Sequence, residues 1–483
     1  MSAAINTGSG LAGVIDEATI NDLRAALGAQ LITPNDEIYD QARQVWNGMI
    51  DRRPALIARC RGVADVIACV QWAVDHDILL AVRGGGHNVA GFGTCDGGLV
   101  IDLSPMKEIR VDLQRRTARV GGGSTWADVD RETQIFGLAA PGGIVSTTGI
   151  AGLTLGGGQG WLRRTFGMTC DSLVSADVVT ADGRLLVASE TENSDLFWAL
   201  RGGGGNFGVV TSFEYRLHPV GPMVAFAGPV YPLERTTHVM ETFRGFLSDA
   251  PDEINVSATW WTIPPVPGFP AELHGQDVLI LGGVYAGSAA EGERLLKPLR
   301  EIDEPVSDLS ATLPYVVVQQ IFDPFFPQHE LRYYWKSIYL AGLGREVIEE
   351  IKGWMTRRPS PMSMASVWAL GGALSRVSSG ETAAGDRQAP FVLEILANWK
   401  ESSETDDNVS WARDFFVAME RFSSGKTNLN FPGLGEDPHF VRAAFGGNFD
   451  RLVSLKKKYD PTNVFHLNQN IDPQDPAGLS AAN

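Results

Sequence analysis

Apolar positions recur along this chain with two periods that alternate through its first 220 residues. Val63, Val66, Ile67, Val70 and Val74 fall three or four apart, which predicts a helix, and the apolar run 78–82 after them predicts a strand. Runs 99–103 and 117–120 predict further strands, and 125–136 a helix. Residues 178–187 predict a hairpin in which Asp182 and Gly183 supply the positive φ angles of a type I′ turn. From about residue 221 the texture changes. Ile254, Val256, Ala258 and Trp260 alternate with other residues, as do Phe391, Leu393, Ile395, Ala397 and Trp399, predicting strands with one buried face. Segments 291–299 and 347–355 carry helical spacing between them.

Glycine punctuates the first region. There are 54 glycines in 483 residues, above the usual share of about 7 per cent. Much of the excess lies in four clusters. Gly84, Gly85 and Gly86 follow the 78–82 strand and precede His87 and Asn88; Gly121, Gly122 and Gly123 form the second; residues 149–160 carry Gly149, Gly152, Gly156, Gly157, Gly158 and Gly160; residues 201–208 close the set. Glycine lets backbone amides turn toward an anion such as a diphosphate and lets the chain pass close to a large ligand. A histidine directly after such a turn is placed to touch what the phosphate carries.

Gly203, Gly205 and Gly208 satisfy a formal G-x-G-x-x-G, a dinucleotide motif that needs a strand before it and a helix after it. Here the order is reversed. Residues 194–200 predict a short helix capped by Ser194, and 209–217 alternate as a strand, so the glycines make a helix-to-strand turn.

Arg83, Gly84, Gly85, Gly86, His87 and Asn88, the 149–160 run and the Leu196 to Gly208 segment resemble, in this order, the FAD-linked oxidases of the vanillyl-alcohol oxidase type, and within them the berberine-bridge-enzyme-like group. The C-terminal signature of that group follows in Ala443 to Leu452, Lys458 to Phe465 and Asn468 to Pro473, so the resemblance spans about residues 39–473. It implies an α+β, two-domain FAD-binding fold of the PCMH type with a substrate domain built on an antiparallel sheet. The expected division is a FAD-binding part over 1–220 (PCMH-type from about 50), a substrate-binding part over 221–425, and a return to the FAD domain over 426–483.

The resemblance also implies site roles. His87 matches the histidine joined through a ring nitrogen to the flavin 8α-methyl carbon, so FAD is expected in monocovalent, 8α-histidyl form. The second, cysteinyl attachment of some relatives would fall at Val145, which is no cysteine. Gly84 to Gly86, next to Arg83 and Asn88, are the expected diphosphate cradle. Ser146, Thr147, Gly149, Gly152 and Gly160 are expected to line the rest, with Val209 near the adenine or ring region and Asn468 and Asn470 near the isoalloxazine. The tyrosine that sugar and alcohol oxidases of the group use as a base falls at Asn428, in Asn428-Leu429-Asn430-Phe431, and the carboxylate before a Gly-Gly pair is missing from 366–372. An asparagine at the first of these positions resembles the 6-hydroxynicotine-oxidase branch. Glu394, which shares a strand face with Asn398, is a candidate replacement base, as are Tyr334 and Lys336. Trp260, Trp261 and Trp368 are expected either in an aromatic pocket or in plain core.

The expected reaction is oxidation of a small amine or alcohol, with O2 as electron acceptor and H2O2 as product. Two alternatives stand beside it: a dehydrogenase using another acceptor, depending on a gate at Thr148, and a flavoprotein that binds FAD without turnover.

Composition narrows the partners. A formal charge of −17, from 57 acidic and 40 basic residues, works against nucleic acid and anionic membranes. No apolar run approaches the ~20 residues of a membrane span, and no basic-then-apolar leader opens the sequence, so a cytoplasmic protein is expected. Cys60, Cys69, Cys95 and Cys170 lack C-x-x-C pairing and read as small buried hydrophobes, with neither a metal site nor a disulfide framework. The sequence leaves a homodimer open and does not specify the substrate.

Overall fold

The computed structural model describes residues 3–8, 12–28, 30–425, 428–431 and 438–475. In the first region Leu56–Arg59 and Leu80–Arg83 each pair in parallel with Leu99–Asp102, and Gln30–Ile32 adds an antiparallel edge. Val63–Asp75 packs Val66, Cys69 and Val70 onto this sheet. The helical spacing of those residues therefore becomes one buried stripe.

Five antiparallel strands form the neighbouring sheet, in the order Leu185–Ser189, Leu173–Val179, Val209–Arg216, Thr117–Gly121, Ile109–Asp112. Its hairpin differs from the expected type I′ turn. Gly183 has φ +74°, Asp182 does not have positive φ, and the Gly183 N–H donates to Thr180 O. That is a type I turn followed by a glycine bulge, which also suits the strand twist. In the short helix Ser194–Leu200 the N-cap position falls to Asn193, in left-handed backbone and without a side-chain cap bond, and Ser194, the expected cap, is the first helical residue.

Between them, residues 223–399 build a nine-stranded sheet, antiparallel throughout. Its central strands run Asp277–Tyr285, Ile254–Thr262, Met364–Ala369, Phe391–Trp399, Arg332–Leu340. Helices Thr236–Asp249, Arg345–Met355 and Thr405–Met419 cover one face through Val239, Ile348 and Phe415. Ile254–Thr262 and Phe391–Trp399 are buried at every position, not on one face as expected, because the face away from the helices is covered as well. There Asn255 meets Arg164 and Thr165, Trp261 meets Phe269 and Phe325, and Glu394 and Leu396 stand across the cavity from the glycine-rich segments.

The chain then returns. Lys456, fully buried, donates to Asn206 O at 2.9 Å, Phe465 O at 2.9 Å and Asp460 Oδ2 at 2.6 Å, while Asp460 accepts from the Val464 and Phe465 amides. This knot fixes the C-terminal segment on the last glycine loop. Among the described residues no helix is long and apolar enough to cross a membrane.

Candidate active site

One long cavity runs between the glycine loops and the uncovered face of the large sheet. Its first half is backbone. A Cβ on Gly85 would lie 2.5 Å from the Cα of Gly149, the N-cap of the short helix Ile150–Leu155, so the 84–86 turn and the start of that helix meet at a distance only glycine permits. Gly86 turns at φ +66° and delivers His87 to the cavity. Arg83 lines the cavity and also braces the loop from behind. Its guanidinium donates to Asp102 Oδ2 at 3.0 Å and Gln44 O at 3.2 Å, fixing the strand end from which the turn departs.

His87 is half-buried, stacked on Trp46 with ring centroids 4.1 Å apart, and its Nε2 lies 3.3 Å from Thr147 Oγ1. Desolvation pushes its pKa down to about 3, so the imidazole is neutral at pH 7.

Of the other expected cofactor residues, Asn88, Gly149, Gly152, Gly160 and Asn468 line the cavity. Ser146 does not; its N–H and hydroxyl both donate to Asp323, which leaves no donor for a phosphate. Thr147 meets the cavity only through His87. The Val209 side chain packs into the core behind, while its neighbours Gly208 and Val210 line the cavity. Asn470 also stays outside it, with a buried, unpartnered Oδ1.

The second half is made of side chains. Phe391–Trp399 alternates: Leu393, Ile395 and Ala397 point to the helices, and Glu394 and Leu396 line the cavity. Glu394 Oε2 accepts from Trp368 Nε1 at 2.9 Å. Burial raises its pKa from the usual 4.5 to about 7, opposed by the Trp368 bond and the Arg163 charge. Arg163 also lines the cavity; its guanidinium donates to Ala369 O, Gly160 O and Val256 O and lies 4.6 Å over Trp368. Burial lowers its pKa to about 9. Trp335 completes the wall, stacked on Phe431 at 5.6 Å and edge-on to Phe326 at 5.4 Å.

Two sequence candidates for the base, and the asparagine at the tyrosine position, fall elsewhere. Tyr334 and Lys336 point to the helix side of Arg332–Leu340. Tyr334 Oη meets Arg413 Nε at 3.0 Å, and Lys336 Nζ lies 4.3 Å over the Phe416 ring. Strand parity excludes both from the cavity, where Trp335 stands between them. Asn428 is buried behind the wall and accepts from the Asn430 amide, and Asn430 and Phe431 take the cavity positions instead. Of the three tryptophans singled out, Trp368 lines the cavity, Trp261 sits in the core beyond it and Trp260 faces the helices. Gln159, Arg163, Trp335 and Asn430 carried no signal that sequence reasoning used, although Asn430 lay inside the quoted motif.

The geometry fits FAD. A Cβ on Gly152 would meet nothing within 4 Å, leaving open space along the helix Ile150–Leu155, and Asn468 aims a buried, unpartnered Oδ1 from the cavity wall. A backbone-walled trough that opens onto an aromatic, carboxylate-bearing chamber is the site of a flavin-linked oxidoreductase. Residues 54–189 match the FAD binding domain family and 427–472 the berberine and berberine-like family. The chain is 32% identical over 458 residues to an uncharacterized FAD-linked oxidoreductase of Bacillus subtilis, covering 93% of this chain and 98% of that protein. It is 32% identical over 460 residues to the (R)-6-hydroxynicotine oxidase of Paenarthrobacter nicotinovorans, with coverage of 93% and 98%. The structure of 6-hydroxy-D-nicotine oxidase from Arthrobacter nicotinovorans superposes with a TM-score of 0.83 at 28% identity, over 93% of this chain and 98% of that one. The chain belongs to the berberine-like family of FAD-linked oxidoreductases.

Proposed function

We propose that this protein is an oxidase of a small amine or alcohol that carries FAD on a single covalent bond from His87 to the 8α carbon. The observation that carries the reading is the buried carboxyl of Glu394, held by Trp368 on the aromatic wall with a pKa near 7. Bound FAD would supply the hydride acceptor, returning its electrons to O2 to give H2O2. The protein's own work is then threefold. Backbone at 84–86 and 149–152, with Asn468, holds the cofactor. Trp335, Phe326 and Phe431 bury the substrate and exclude water. Glu394 takes the proton that a departing hydride leaves on a substrate O–H or N–H, a task suited to a group whose pKa lies near the working pH. Neutral His87 has the lone pair that attachment needs, and Val145 offers none for a second bond.

The division at about residues 220 and 425, a cytoplasmic location and a homodimer belong to the same proposal. The test is the absorbance spectrum before and after acid precipitation, for wild type and His87→Ala, followed by anaerobic reduction and peroxide assay with panels of amines and alcohols. Colour kept in the wild-type pellet and lost from the mutant's, with peroxide formed from a substrate, is the expected result. Reduction without O2 consumption would instead make the protein a dehydrogenase. Failure of every substrate to bleach the flavin would favour a binding protein without turnover.

A further inference from the structure

The segment 45–49 lies outside the residues matching the FAD binding domain, which begin at 54, yet it holds the histidine. The Trp46 ring lies between two others, 4.1 Å from His87 at an interplanar angle of 19° and 3.8 Å from Tyr333 at 12°. Trp46 itself has no freedom. It is 2% exposed, its backbone N–H donates to Gly86 O at 3.1 Å, and its Nε1–H donates to Phe326 O at 3.1 Å. Next to it, Asn47 Nδ2 donates to Val89 O at 2.7 Å and to Tyr333 O at 2.9 Å, and its Oδ1 accepts from the Tyr333 amide at 3.1 Å. The segment thus ties the two sides of the 84–89 turn to the strand Arg332–Leu340 of the large sheet. The glycines before His87 give the turn its shape but do not hold the ring; the stack fixes its plane, and the Nε2 contact with Thr147 restrains it further.

We infer that Trp46 is a positioning residue for covalent attachment of the flavin, fixing the plane of the His87 imidazole with Tyr333 as its backing. The inference rests on the His87 bond proposed above. In that step a bond forms between an imidazole nitrogen and the 8α carbon. One hydrogen leaves the carbon and one leaves the imidazole, both as protons, and the electron pair passes through the ring system to dioxygen, which becomes hydrogen peroxide. The protein supplies placement, and a small loss of aim slows such a step steeply.

The experiment follows the rate at which added FAD becomes acid-stable in protein produced under flavin limitation, alongside total FAD bound. Trp46→Leu is expected to bind one FAD per chain and to form the covalent bond about ten- to a hundredfold more slowly, while Trp46→Phe, which keeps a ring in the stack, restores most of the rate. Trp46→Leu reacting at the wild-type rate would overturn the inference and leave the His87 bond intact. Should Trp46→Leu bind no FAD, Tyr333→Leu decides against Tyr333→Phe, which keeps the backing ring and drops only the hydroxyl bond to Pro327 O: attachment slower in Tyr333→Leu than in Tyr333→Phe supports the role, and equal rates overturn it. Flavin released by acid from wild type would overturn the His87 bond and this inference together.

Discussion

The proposed cofactor half of the cavity takes its walls from short contiguous runs, 84–88 and 149–156 among them, whereas the proposed substrate half takes one or a few residues from each of several distant segments, Phe326, Trp335, Trp368, Glu394 and Phe431 among them. The first half recognises its ligand with backbone, so the requirement is local: glycine where two loops touch, and an aligned run of residues to make the turn. The second recognises with side chains brought together by strand register. Ser366 and Ser337 flank Glu394 across the sheet, and nothing near Glu394 in sequence announces that its neighbours in space are Trp368 and Arg163. The backbone half is suited to a constant cofactor, and the side-chain half can change its substrate one residue at a time without disturbing the loops.

The comparison is tested hardest at Glu394. Glu394→Gln keeps the shape and the Trp368 contact but cannot take a proton. Flavin reduction by substrate should slow by about 10²–10⁴-fold, with FAD content and absorbance unchanged. In wild type the rate should rise with pH through about 7 as the carboxyl ionises, and the mutant should lack that rise. Stability runs the other way. A carboxyl whose pKa is raised in the folded state binds its proton more tightly there, so its contribution is full below pH 4.5 and is lost as pH climbs toward 7. Stopped-flow reduction against pH, paired with denaturant melts, separates the two; a mutant as fast as wild type would remove Glu394 from the chemistry.

On the cofactor side the largest effect is expected at the C-terminal knot. Lys456→Met leaves Asp460 buried without its cation, and breaking a buried pair from one side costs about 3–5 kcal/mol. FAD binding should weaken along with stability, because the same ammonium holds Asn206 O in the last glycine loop and Phe465 O beside the cavity. Denaturant unfolding and FAD titration check it. Gly85→Ala should cost less, about 1–3 kcal/mol of strain from overpacking, but should strike flavin content first, since its Cβ would push the 84–86 loop off Gly149. Unaltered flavin content in Gly85→Ala would mean that the loops have slack and that the backbone half is not tightly built.

What could be read from the chain follows the same divide. Three of the four glycine runs, the reversed order around 203–208 and the His87 position are contiguous and find their place along the cavity, while Gly121 to Gly123 pack behind it, with Gly122 O against Gly84. Alternation in Phe391–Trp399 correctly groups Glu394 with Asn398 on one face, because parity is a local property. Which parity faces the cavity is not local. In a strand buried on both sides, hydrophobic residues stand on each face, and in Arg332–Leu340 the titratable Tyr334 and Lys336 occupy the helix side while the apolar Trp335 reaches the site. Ser146 fails for a related reason: its hydroxyl is taken by Asp323, 177 residues away. Trp46 carries no motif at all, and only the folded stack reveals its contact with His87.

The smallest expected effect is therefore also the sharpest test of this reading. Tyr334 and Trp335 are adjacent in sequence and opposite in space. Tyr334→Phe removes one hydroxyl that meets Arg413 on the helix side, and the loss of a single such hydrogen bond is worth about 0.5–1.5 kcal/mol of stability. It should leave kcat, KM and the covalent flavin fraction at wild-type values, because no atom of Tyr334 lines the cavity. Trp335→Phe, one residue on, keeps an aromatic ring but gives up the indole N–H donated to Asn398 Oδ1 at 2.8 Å, and it shrinks the wall facing Phe431. Its effect should fall on KM and on the reduction rate. Steady-state kinetics and melts on this pair decide whether strand parity divides structure from function here. A kinetic defect in Tyr334→Phe matching that of Trp335→Phe would show that the helix face communicates with the site, and the separation of the two faces would no longer hold.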